Sequence, residues 1–137
     1  MREFVRKISL AFTAGAVGGI LNRFVVWLFG YTGISGDLGV NFAPAWSKMF
    51  VYTGIVWGGI WGFLFILPLL RRSAALRGIL YSIPPTLVML FVVLPRQMNK
   101  GMMGTDLGNM MLVLVVFFNI IWGLGAAYWL KLTGEKI

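Results

Sequence analysis

The chain has 137 residues, 59% of them hydrophobic and 12% charged, with a net charge of +8 and a mean hydropathy of +0.86. Such apolarity excludes an ordinary water-soluble domain. With neither cysteine nor histidine in the chain, a disulfide framework, a thiolate metal site and the commonest haem, zinc and proton-relay ligand are excluded as well.

Four apolar runs stand out, at 8–30, 49–70, 78–95 and 107–130. A helix needs about 20 residues, at about 1.5 Å each, to cross a hydrocarbon core of about 30 Å. None of the runs alternates in polarity as barrel strands do. The expectation is an all-α integral membrane protein, one domain over 1–137 with four transmembrane helices, no cofactor and no metal site.

The start, MREFVRK, followed by ISLAFTAGA, has the basic lead of a secretion signal. The apolar run continues far beyond a signal's length, so it reads as an uncleaved anchor. One face of this first helix carries Ala11, Gly15, Gly18, Gly19 and Asn22, small residues that let helix backbones approach within a bilayer. Arg23 follows, fifteen residues after Ile8 and so about 22 Å along the helix. A guanidinium there is either buried, paired and on an ion path, or the helix ends at Asn22 and the stretch FVVWLFG lies in the interface.

Residues 33–39 read GISGDLG, and 101–108 read GMMGTDLG. Glycine supplies positive φ in such turns, and Asp can accept bonds from the amides that follow, so Asp37 and Asp106 are expected as turn or helix caps. A ring of carboxylates for cation capture would require an oligomer.

The second run carries Gly54, Gly58 and Gly62 at four-residue spacing, and the fourth carries Asn119, Gly123 and Ala127. Both read as packing faces, with the Asn119 amide requiring a partner on another helix. In the third run Pro84-Pro85 frees the carbonyls of Leu80 and Tyr81, with Ser82 and Thr86 alongside, giving either a cavity-lining break or a kink. Met98, Met102, Met103, Met110 and Met111 read as apolar filler, since no Cys or His reinforces them as a Cu(I) site. Trp27, Trp46 and Trp129 fall near run boundaries, as interfacial anchors do.

The match between the two turns extends outward. GIVWGGIWG (54–62) aligns with NIIWGLGAA (119–127), setting Trp57 against Trp122, and Leu21-Asn22-Arg23 faces Leu94-Pro95-Arg96. The chain therefore reads as two tandem helical hairpins, repeat 1 at about 8–70 and repeat 2 at about 78–130, related by a parallel pseudo-twofold axis along the membrane normal.

The basic residues sort by membrane side rather than gathering on one face, which argues against nucleic acid. Arg2, Arg6, Lys7, Arg71, Arg72, Arg77, Lys131 and Lys136 fall on one side, and Arg23, Lys48, Arg96 and Lys100 on the other. The positive-inside rule then predicts cytoplasmic N- and C-termini in a bacterial inner (plasma) membrane. Arg71, Arg72 and Arg77 are topology signals, with acidic lipid headgroups as a second role.

The stretch AGAVGGILNRF (14–24) resembles the first helix of the small bacterial fluoride channels, which share this length and helix count, and a likeness to their pore asparagine would fall on Asn41. Those channels carry a Gly-Phe-Thr-Thr-Phe-Ser type of break in their third helix. Here it reads Ser-Ile-Pro-Pro-Thr (82–86), so no family is assigned.

No set of residues could act as nucleophile plus base. The expected role is that of a non-catalytic packing or accessory subunit of a larger inner-membrane complex, in contact with the lipid bilayer and with other membrane subunits or copies of itself. The alternative is a small homo-oligomeric anion channel or transporter, with Asn22, Arg23, Pro84 and Pro85 on the pathway and Asp37 or Asp106 paired to the arginine.

Overall fold

The computed structural model describes residues 1–134. It is all-helical, 80% helix with no strands. Among the described residues four helices are long and apolar enough to cross a membrane: helix 1 (Arg2–Thr32), helix 2 (Lys48–Ile66), helix 3 (Ala74–Gln97) and helix 4 (Met111–Thr133). Lys136, counted among the basic residues of the terminal side, lies outside the described residues.

Local chemistry sets the helix boundaries. Helix 1 runs unbroken through Arg23 and stops at Gly33, whose φ of 87° only glycine adopts without strain. This corrects the reading in which it ends at Asn22 and residues 24–30 lie in the interface. No proline and no residue of positive φ follows Asn22 until that glycine. Helices 2 and 3 begin on serine caps: Ser47 Oγ accepts from the Phe50 amide and Ser73 Oγ from the Leu76 amide, each at 3.2 Å.

The expected caps, Asp37 and Asp106, are corrected. Asp37 is the last residue of the single helical turn Ile34–Asp37, and Asp106 falls near the end of the 3-10 turn Met102–Leu107. Free amides lie at the start of a helix, not at its end. Both carboxylates are exposed.

Helix 3 is α-helical over Ala74–Val88, straight through Pro84-Pro85. It then widens into a π-helix over Met89–Gln97, which contains Pro95. Proline removes an amide donor and crowds the carbonyl one turn back, and widening relieves that crowding. Ser82 Oγ bonds the Ile79 carbonyl (2.6 Å) and Thr86 Oγ1 the Ser82 carbonyl (2.7 Å), rather than the carbonyls of Leu80 and Tyr81.

Helix 1 packs on helices 2 and 4, and helix 3 packs on helix 4. The chain thus forms an arc in the order 2–1–4–3. Close backbone approach at glycine joins its members. A Cβ on Gly58 would lie 2.6 Å from the Gly15 carbonyl oxygen and 2.9 Å from Gly19 Cα, and one on Gly62 would lie 2.8 Å from Gly15 Cα. Gly78 and Gly123 meet backbone to backbone between helices 3 and 4, and Gly18 lies against Trp122. The faces formed by Gly15, Gly18, Gly19, Gly54, Gly58, Gly62, Gly123 and the buried Ala127 are therefore filled from within the chain.

Trp122 closes the centre. Its ring is 3% exposed, and its Nε1–H points at the Gly15 carbonyl (3.0 Å) and the Gly58 carbonyl (3.3 Å), so helix 4 is tied to the helix 1–helix 2 crossing. Toward the turns a second core gathers Val26, Leu90, Leu94, Met111, Val115 and Phe118. Of the five methionines read as apolar filler, Met111 is fully buried core and Met103 half-buried, whereas Met98, Met102 and Met110 are exposed.

Candidate functional site

Helices 2 and 3 occupy the two ends of the arc and do not pack along their lengths. They meet near the chain-terminal end. Phe65 and Tyr81 contact edge-to-face at 4.8 Å, Tyr81 Oη donates to the Leu67 carbonyl, and the Leu69 amide donates to Tyr81 Oη at 3.3 Å. Arg77 Nη2 donates to the carbonyls of Phe65 (2.6 Å) and Leu67 (3.1 Å). The last carbonyls of a helix have no intrahelical partner, and Arg77 Nη2 reaches two at this end, that of Phe65 within helix 2 and that of Leu67 just beyond it. This corrects one headgroup-binding expectation: Arg77 is 7% exposed and spends its charge on helix 2, whereas Arg71 and Arg72 are exposed.

From this latch helices 2 and 3 enclose a half-open cleft of about 500 Å³. Phe50, Gly54, Trp57 and Trp61 form the helix 2 wall, and Pro85, Met89, Val93 and Gln97 the helix 3 wall. Gly19, Asn22 and Arg23 of helix 1, with Asn119 and Trp122 of helix 4, form the floor, and Phe42, Pro44 and Met98 form the rim at the turn end. A cavity of about 70 Å³ adjoins it at Asn22, Arg23 and Asn119.

Among the described residues Arg23 is the one charged residue that lines the cleft. Its Nε donates to the Phe50 carbonyl (3.0 Å), Nη1 donates to Asn22 Oδ1 (3.2 Å), and the guanidinium carbon stands 5.1 Å from the centre of the Phe50 ring. Asn22, itself buried, donates from Nδ2 to the Phe118 carbonyl (2.8 Å), so its amide bridges helix 4 to the arginine. Two of the five guanidinium N–H groups are thus used. Among the described residues no carboxylate comes within 4.0 Å of Arg23, and Asp37 and Asp106 are held in the exposed turns.

The position of Arg23 sharpens its chemistry. Trp27, one turn and about 6 Å further along the helix, stacks on Tyr31 (ring centres 5.1 Å apart) and packs edge-on against Trp46 (5.8 Å). Such an aromatic cluster has the composition of an interfacial belt, which puts Arg23 on the interior side of it. The Asn119 side chain, expected to bond another helix, has no hydrogen-bond partner among the described residues and lines both cavities. The nearby Phe118 carbonyl is already taken by Asn22.

Of the residues singled out from the sequence, Gly19, Asn22, Arg23, Gly54, Gly58, Pro85 and Asn119 come together at this cleft. Pro84 is not among its lining residues, and Asn41 is exposed, its amide donating to the Leu107 carbonyl at 2.7 Å. Trp57 and Trp122, which the sequence pairs as a repeat match, and Met98, read as apolar filler, also line the cleft, and only the fold adds Trp61 and Gln97 to them. Alternation of Trp57 and Trp61 with Gly54 and Gly58 was the available signal. No protein family, curated protein or solved structure matches the chain.

Proposed function

We propose that the chain is a non-catalytic membrane protein that binds an anion inside the bilayer, with Arg23 as its counter-charge. One observation carries this reading: a partly buried guanidinium, without a carboxylate partner among the described residues, lines a mostly apolar and aromatic cleft. A cation withdrawn from water is costly unless an opposite charge joins it. A cleft of this volume, mostly apolar with a few convergent polar groups, has the character of a ligand site.

The role is thus nearer to the anion-transporter expectation than to the packing subunit. Small-residue faces were the ground for a packing subunit, and they are occupied within the chain, so they supply no argument for a second chain. In the setting we favour, the protein lies in a bacterial inner membrane with both termini cytoplasmic, which places the rim of the cleft toward the outside. The two hairpins are read as parallel repeats. Support for this comes from the matching turns, which touch: a Cβ on Gly108 would meet the Gly39 carbonyl, and Asn41 pairs with Leu107. Gly39 and Gly108 are equivalent positions of the two repeats, whereas the packing of helix 1 on helix 4 has no counterpart between helices 3 and 2.

The test is thermal unfolding of the full chain in a neutral detergent, with water-soluble and amphipathic anions and their uncharged analogues. At least one anion should raise the unfolding temperature of the wild type and leave Arg23→Gln unmoved, since a ligand that binds only the folded state stabilises it. If no anion distinguishes the two proteins, the reading fails.

A further inference from the structure

Resting on that reading, we infer that the anion is the headgroup of an anionic membrane lipid, which enters sideways between helices 2 and 3 with its acyl part against their walls. The shape of the cleft points there. A site for a small aqueous anion is closed to hydrocarbon, because lipid would otherwise compete for its walls. Here the two walls are the unpacked ends of the arc, so the gap between them faces the bilayer. The Arg77–Tyr81–Phe65 latch closes the gap at the terminal end and leaves it free toward the turns.

Chemistry grades along the same axis. Arg23, with three N–H groups unused by the described residues, lies beneath the rim, one helical turn to the interior side of Trp27. Deeper in, Trp57, Trp61 and Pro85 offer only apolar surface apart from the indole N–H groups. Trp57 shows the outward aspect most directly: it is 59% exposed, whereas Trp122, its partner in the sequence match, is 3% exposed. The free Nη edge suits the two oxygens of a phosphate, and a guanidinium binds these in a planar fork. A lipid phosphate and an inorganic phosphate share that chemistry, and the gap between the helices is what favours the lipid.

The experiment is native mass spectrometry of the full chain, released from neutral detergent after incubation with phosphatidylglycerol, with phosphatidylcholine or with inorganic phosphate. Three proteins are compared: wild type, Arg23→Gln and Val93→Trp. The last narrows the gap without touching the charge and serves if Arg23→Gln is poorly folded. The expected result is retention of phosphatidylglycerol by the wild type at an affinity about tenfold above that for phosphatidylcholine. That preference should vanish in Arg23→Gln, and lipid retention should be lost in Val93→Trp. Retention of inorganic phosphate by wild type and Val93→Trp alike, with no lipid preference, would overturn the lipid assignment and leave the anion reading in place. Retention of no anion by the wild type would overturn both.

Discussion

Trp122 Nε1 lies 3.0 Å from the carbonyl oxygen of Gly15, a residue 107 positions away in the chain. The same N–H reaches the Gly58 carbonyl at 3.3 Å. Both acceptors sit at the closest point of the helix 1–helix 2 crossing, where the absence of a side chain leaves the carbonyls open to a third helix. Helix 4 thus fastens a contact that two glycine faces create. Trp122→Phe keeps most of the ring and removes the donor. It should destabilise the folded protein by about 1 kcal/mol, the scale of one such bond in a membrane, measured by reversible unfolding in mixed micelles. An unchanged midpoint would mean that the ring alone holds this junction.

Gly58→Leu tests the crossing itself. Its new side chain must enter space held by Gly15 and Gly19 backbone, and rigid backbone cannot yield as a flexible side chain does. We expect normal membrane insertion but loss of the compact fold, seen as rapid proteolysis, because overpacking costs about 1 to 3 kcal/mol or more. Gly123→Leu should behave alike through its contact with Gly78. Gly36→Ala, where a Cβ meets nothing within 4 Å, is the tolerated control. Equal resistance of all three variants would contradict the helix pairing.

Arg77→Met should loosen the latch. Methionine fills much of the arginine's volume but leaves the Phe65 carbonyl without its side-chain donor and the Leu67 carbonyl with Tyr81 Oη alone. Bonds from a charged donor contribute about 1.5 to 3 kcal/mol. The expected outcome is faster hydrogen exchange at the end of helix 2, around Leu67 and Leu69, with the glycine crossing still protected. Uniform exchange in both proteins would show that Phe65 and Tyr81 suffice.

The sidedness assumed for the cleft can be read with reporter fusions. The basic-residue count predicts a cytoplasmic signal at Ala75 and external signals at Ser35 and Lys100. An external signal at Ala75 would reverse the orientation and turn the rim of the cleft to the other face.

How much of this was legible depends on what each feature is made of. The four spans were, because crossing a bilayer is a matter of uninterrupted apolar length, and the runs at 49–70 and 107–130 contain no charge at all. The glycine faces were legible as surfaces but not as pairs. Spacing shows that Gly54, Gly58 and Gly62 want a close neighbour, and only the assembled arc shows that Gly15 and Gly19 supply it. Arg23 was visible as an anomaly, yet its partners were misjudged, since the obvious carboxylates are held in exposed turns and backbone and amide oxygens replaced them. Arg77 was hidden in a basic cluster with Arg71 and Arg72. Trp57 and Trp122 look equivalent in sequence and differ in burial because helix 4 lies inside the arc and helix 2 at its end. Ser47 and Ser73 cap helices, and nothing in the sequence around them repeats as the aspartate turns do.

The most direct measurement is the affinity of wild type and Arg23→Gln, by isothermal titration calorimetry in neutral detergent, for an alkyl phosphate and for the alcohol with the same chain. If Arg23 is the counter-charge of the cleft, the wild type should bind the phosphate at least about tenfold more tightly than the alcohol, a difference of about 1.4 kcal/mol, and Arg23→Gln should bind both alike. Adding Asp37→Asn or Asp106→Asn to Arg23→Gln should restore nothing, because neither carboxylate reaches the arginine. Equal affinities in the wild type, or a rescue by either aspartate change, would contradict the assignment of Arg23 as the anion's partner.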